Sequence, residues 1–81
     1  MRIELTHQAD RDYDRLSSQL RKQVDKQLNL LRDNIRHPSL DAKKYGGTDD
    51  MWQGRVNRNY RFYFFITDDI YRILRIIPHP K

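Results

Sequence analysis

Cysteine is missing from the 81 residues of this chain. Its absence excludes disulfides and thiolate metal sites and makes a reducing, intracellular compartment the simplest setting. Long apolar runs are missing too. The mean hydropathy is −0.99, and no stretch approaches the roughly 20 apolar residues that a bilayer-spanning helix requires. The opening residues, with Glu4, His7 and Asp10, lack the basic-then-apolar order of a signal peptide. A soluble, cytoplasmic protein with no membrane partner is expected. Glycine and proline number only 3 each, and no linker, repeat or low-complexity segment interrupts the chain. Residues 1–81 are therefore expected to form one small domain, about one layer of helix on one layer of sheet. Acid is in deficit. Against 16 Lys plus Arg stand 11 Asp plus Glu, a formal net charge of +5, which favours a polyanionic partner such as nucleic acid or an acidic protein.

What is present divides by period. Ile3 and Leu5 alternate with Arg2, Glu4 and Thr6, as in a short half-buried strand. Ala9, Tyr13, Leu16 and Leu20 then recur at helical spacing behind a Thr6 cap, with Asp10 in the first turn. Ser17-Ser18 offers a break and a new cap. After it Leu20, Val24, Leu28, Leu31 and Ile35 form one apolar stripe, and His37-Pro38 ends the helix because the residue before proline avoids the helical region. The opposite face, with Arg21, Lys22, Asp25, Lys26, Arg32 and Asp33, reads as solvated surface.

Beyond Pro38 the composition turns strand-like. Lys43-Lys44-Tyr45 suits a short strand and 46–50 a loop. Three longer strands follow, Met51 to Asn57, Tyr60 to Thr67 and Ile70 to Ile77, joined by turns at Asn57-Arg58-Asn59 and Asp68-Asp69. The expected fold is α+β, an N-terminal strand and two helices followed by a three- to four-stranded antiparallel sheet with the helices on one face. In the middle strand Tyr60, Phe62, Phe64 and Ile66 share one face, while Arg61, Tyr63, Phe65 and Thr67 share the other. One face packs on the helices; the other forms a partly open surface where Arg61 sits among aromatics. Arg55, Arg58 and Arg61 flank one tight turn, and the last strand leads into His79, so cations can converge beside an imidazole as a phosphate site with a proton donor.

The pattern His37-Pro38-Ser39-Leu40, Lys43-Lys44, Gly46-Gly47, Trp52, Arg55-Val56, Tyr60-Arg61 and finally His79 resembles the RelE/ParE superfamily of bacterial toxins. The resemblance covers essentially the whole chain, and the Trp-x-x-Arg-Val-x-x-x-Tyr-Arg core with a histidine one strand later is closest to the YoeB type. It implies a RelE-like, microbial-ribonuclease-like fold. It also implies an mRNA interferase that cleaves messenger RNA in the ribosomal A site and inhibits translation, neutralised by an acidic antitoxin. No cofactor and no metal are implied. Two other readings stay open, a ParE-like toxin that inhibits DNA gyrase without cleaving and a non-catalytic basic RNA-binding protein.

RNA cleavage by internal transfer requires a deprotonated 2′-hydroxyl, stabilisation of the extra phosphorane charge, and a proton for the departing 5′-oxygen. The guanidinium, always charged and forked, suits the middle task. The resemblance puts Arg61 there, with Arg55 as a second phosphate ligand; the alternative for Arg61 is a stem packed on aromatic rings. In the YoeB-type pattern the histidine at position 79 is the general acid, and histidine is the usual donor near neutral pH; the alternative is a tail group. Arg58, Lys43, Lys44 and Lys81 are candidate RNA-binding cations; Arg58, Lys43 and Lys44 read more readily as solvated charge, and Lys81 also as a disordered last residue. Tyr60 and Trp52 are candidate stacking platforms, with Trp52 reading more readily as core. His7 and His37 lack metal-ligand spacing. Two positions depart from the family pattern: no aromatic follows His79, and the upstream glutamate of the YoeB type is replaced by Ala42, Lys43 and Lys44.

Overall fold

The computed structural model describes residues 1–45 and 50–79; most of the loop expected at 46–50, and Lys81, lie outside them. The N-terminal alternation forms β1 (Arg2–Leu5), and the two helical stripes form α1 (His7–Asp14) and α2 (Ser18–Asp33). A 3-10 turn at Pro38–Leu40 leads to β2 (Lys43–Lys44), β3 (Met51–Arg55), β4 (Tyr60–Thr67) and β5 (Ile70–Pro78). All five strands make one sheet in the order β1-β5-β4-β3-β2. The last three form the expected antiparallel meander, and β2 adds to it antiparallel. β1, whose neighbour the sequence pattern leaves open, runs parallel to β5, with Arg2 to Leu5 opposite Ile70 to Ile73.

Both helix starts follow from their caps. The Thr6 hydroxyl accepts from the Ala9 N–H, and the Ser17 hydroxyl accepts from the Leu20 N–H. α2 ends at Asp33, two residues short of the stripe's last apolar member. Asn34 leaves the helix in an extended conformation, and its side chain takes the Arg36 N–H instead. β3 likewise ends at Arg55 and not Asn57, because the N–H groups of Val56 and Asn57 both turn to the Tyr60 carbonyl.

The helix-side face of the sheet is the core. Phe62, Phe64 and Ile73 are fully buried against Val24 and Leu31 of α2, with Leu40 closing the end. Trp52 lies directly across from Phe64 and stacks on it at 6.1 Å between ring centroids; Phe62 and Tyr71 continue the cluster. Gly54 faces Phe62 across the β3–β4 pair, and its missing side chain is where the Phe62 ring lies: a Cβ there would collide with the ring.

β5 needs a second neighbour beyond the reach of β1. There α1 supplies it. The Thr6 hydroxyl donates to the Leu74 carbonyl at 3.1 Å, and the Asp12 carboxylate accepts from the Ile76 N–H at 3.0 Å and from Arg75 Nε at 2.8 Å. Burial pushes the Asp12 carboxyl up, but the hydrogen bonds from Arg75 and Ile76 and the arginine charge outweigh it, leaving its pKa below the ordinary carboxylate value.

Gly54→Ala forces Phe62 out of place and should cost about 1–3 kcal/mol, read as a fall in Tm of several degrees; an unchanged Tm would show that the ring can move freely. Asp12→Ala orphans the Ile76 N–H and should cost about 2 kcal/mol, on the order of 10 °C in Tm for a chain this size. The folded-state pKa of Asp12 is lowered, so its stabilisation is present above the unfolded value and is lost as pH falls through the folded one. Thermal melts of wild type should therefore show an extra acid-induced loss below about pH 4 that Asp12→Asn lacks.

Candidate functional site

Among the described residues no helix lies over the sheet face opposite α2, though Gln53 and Tyr63 on it are buried, and its register sets what meets there. One row across the strands runs Lys43, Gln53, Tyr63, Arg75; the next runs Arg55, Arg61, Ile77. Arg55 and Arg61 are thus directly opposed on neighbouring strands. Like charges so placed are destabilising unless an anion lies between them.

Other cations of this face have acidic partners. Arg72 reaches Glu4 at 3.2 Å, Arg75 reaches Asp12 at 2.8 Å, and Lys43 lies 3.9 Å from Asp41. Among the described residues neither Arg55 nor Arg61 has a carboxylate within salt-bridge distance. Arg55 is exposed. Arg61 is half-buried and directed by backbone: its Nη1 donates to the Asn57 carbonyl at 2.6 Å and to the Tyr60 carbonyl at 2.9 Å. Its Nε and Nη2 have no protein acceptor among the described residues, so one edge of the guanidinium is free. Carbonyl dipoles orient the charge without neutralising it.

His79 joins this end of the sheet. Its N–H donates to the Asn59 carbonyl at 2.7 Å, adding a rung to the β4–β5 ladder beyond the Tyr60–Pro78 pair. The histidine is exposed, as is Arg58 in the β3–β4 turn. Arg55, Arg58, Arg61 and His79 are therefore gathered at one end of the sheet. Lys43 shares the open face but stands one strand farther out, beside Gln53. Lys44 and Tyr60 belong to the opposite face: Lys44 pairs with Trp52, and Tyr60 pairs with Pro78 and packs against the core. The fold does not bring those two together with the arginines.

Beside the arginine pair lies an apolar hollow of about 340 Å³ lined by Tyr45, Met51, Tyr63, Leu74, Arg75, Ile77 and Pro78. Tyr45 meets Tyr63 edge-on at 5.1 Å. Burial pushes the Tyr63 hydroxyl pKa up, Tyr45 adds to it, and the Arg61 charge opposes both. Tyr63 was readable as a neighbour of Arg61 from strand alternation. Tyr45 carried no such signal. Also without a role from sequence are Gln23, Gln27 and Asn57, which tie the arginine-bearing segments to α2. The one sign was a glutamine inside the apolar stripe of that helix.

Comparison with known proteins agrees with this architecture. A family profile described as the ParE toxin of the type II toxin-antitoxin system, parDE, matches residues 3–80. No curated protein sequence matches significantly. A YoeB/ParE toxin from Agrobacterium tumefaciens superposes with a TM-score of 0.83 at 13% identity, covering 99% of this chain and 100% of that one. The archaeal RelE in the RelE–RelB complex of Pyrococcus horikoshii OT3 gives 0.79 at 20% identity, with 95% and 92% covered. The Staphylococcus aureus YoeB–YefM complex gives 0.79 at 18% identity, with 96% and 95% covered. Among the described residues no helix is long and apolar enough to cross a membrane. The fold is that of the RelE and YoeB toxins, and with a profile match over nearly its whole length the chain belongs to the ParE toxin family of type II toxin–antitoxin systems, within the RelE/ParE superfamily.

Proposed function

We propose that this toxin is an mRNA interferase, a metal-independent endoribonuclease that cuts messenger RNA in the ribosomal A site and inhibits translation. The observation that carries the reading is the opposed Arg55–Arg61 pair, without an acidic partner among the described residues, at the sheet end that also holds His79. An RNA phosphate placed there relieves the repulsion between the two arginines. As the 2′-oxygen attacks phosphorus and its proton passes to water, the phosphorane gains charge, and the free edge of Arg61 together with Arg55 stabilises it. His79 then gives its proton to the departing 5′-oxygen, leaving a 2′,3′-cyclic phosphate and a new 5′-hydroxyl.

Among the described residues no carboxylate stands beside the pair as a general base. Lys43 is a basic side chain of the same face, but it stands two residues along, roughly 7 Å, and one strand out, roughly another 5 Å, from Arg55. Catalysis in this reading rests on electrostatic stabilisation and on positioning by the ribosome, so protein alone should cleave RNA poorly. A cognate antitoxin is the second partner. The solved relatives include toxins bound to RelB and to YefM, and a net charge of +5 suits an acidic polypeptide.

The family profile itself favours a second reading, a ParE-like inhibitor of DNA gyrase with no nuclease activity. Primer extension on a message in a reconstituted translation system, run beside a gyrase supercoiling assay, separates the two. Wild type should cut only on occupied ribosomes and leave supercoiling untouched. Arg61→Ala and Arg55→Ala should each lower the cleavage rate by about 10²- to 10³-fold, and His79→Ala by at least about 10²-fold. Inhibited supercoiling with an uncut message would establish the gyrase reading.

A further inference from the structure

The β3–β4 turn that separates the two arginines is tied to α2 by three amide side chains. Asn57 is its hub. The Asn57 Oδ1 accepts from the N–H groups of Asn59 at 2.7 Å and Tyr60 at 2.9 Å, which fixes the turn from within. Its Nδ2 donates to Gln23 Oε1 at 2.6 Å, which fixes the turn to the helix. Its main-chain carbonyl holds the Arg61 guanidinium. One turn farther along α2, Gln27 Nε2 donates to the Arg55 carbonyl at 2.7 Å and to the Ser39 carbonyl at 3.1 Å. Positions 23 and 27 stand four residues apart and so share a helix face.

Gln27 is an unexpected residue for its place. It is 5% exposed and sits among Val24, Leu28 and Leu31, where a leucine would bury more apolar area and cost no amide desolvation. Local rules are broken in this way where geometry matters more than burial. The two carbonyls that Gln27 holds come from segments far apart in the chain, and one of them belongs to Arg55.

We infer that Gln23, Gln27 and Asn57 are positioning residues that hold Arg55 and Arg61 in fixed register, with the free edge of Arg61 directed at the anion. The nuclease consequence rests on the reading proposed above; the immobilisation of Arg61 does not. In the free toxin Arg61 is prepaid in order, so a bound phosphate meets a guanidinium that is already placed.

The test uses Asn57→Ala, Gln23→Leu and Gln27→Met, each alone and combined with Arg61→Ala, with amide spectra confirming the native fold. Nitrogen-15 relaxation of the arginine Nε–Hε groups in free protein reads side-chain order without reference to activity. The Arg61 order parameter should be high in wild type and should fall in Asn57→Ala and Gln23→Leu, while the Arg72 signal stays unchanged. In the ribosomal cleavage assay the same variants should lose about 10- to 100-fold in kcat at little change in KM. In the Arg61→Ala background Asn57→Ala and Gln23→Leu should cost nothing more. Unchanged Arg61 order in both variants overturns the inference, as does a cleavage loss that adds fully to that of Arg61→Ala. Arg61 that is ordered in wild type and loosened in both variants, together with a wild-type protein that cuts no message, would uphold the positioning role and reject the nuclease.

Discussion

The last strand has two different neighbours along one edge, and the fold depends on how that edge is closed. β1 pairs with β5 only from Ile70 to Ile73. Past that point the register against β4 slips by one residue between Tyr63 and Phe64, and α1 takes over from β1. The Thr6 hydroxyl and the Asp12 carboxylate satisfy Leu74 and Ile76 as a neighbouring strand would. An open edge there would be a site for misplaced pairing and fraying. With it closed, β5 stays paired with β4 through the slip up to Pro78, and His79 keeps its rung beside the β3–β4 turn.

A sheet covered on one side only sorts its residues by parity. Apolar side chains of β3, β4 and β5 that face the helices make the core, and the alternate positions place cations and Tyr63 on the open face. Most of these cations have acids nearby. Among the described residues the exception is the pair at the β3–β4 turn, where Arg55 and Arg61 stand opposed while backbone carbonyls hold Arg61 and α2 holds the turn. Such a site is incomplete without an anion, which is the physical content of the nuclease reading.

Much of this was legible in the residues. The stripe from Leu20 to Leu31, the Thr6 and Ser17 caps and the meander came from periodicity and turn chemistry. Alternation in β4 already put Tyr60 with Phe62 and Phe64, so its core packing could have been read as directly as the open-face position of Arg61. Other features had no local signature. Period-two spacing marks β1 as a strand without naming its neighbour, and a one-residue slip in β5 is invisible to a pattern count. Asp12 and Gln27 are polar residues at buried helix positions, and their main-chain partners lie 12 to 64 residues away in sequence. Only the fold supplies those partners. The residues that resemble the YoeB-type pattern could be named from sequence; that Arg55, Arg58, Arg61 and His79 gather while Lys44 and Tyr60 turn away required the strand register.

The phosphate role of the arginine pair is measured most directly by the salt dependence of binding to single-stranded RNA, wild type against the double variant Arg55→Ala/Arg61→Ala. Each phosphate neutralised on a single strand contributes about 0.7 to the slope of log affinity against log salt. The double variant should bind more weakly and show a slope shallower by roughly 1.4, at 0.7 per lost contact. An unchanged slope would mean that these arginines touch no phosphate, and the open face would then have to be read as a surface for protein alone.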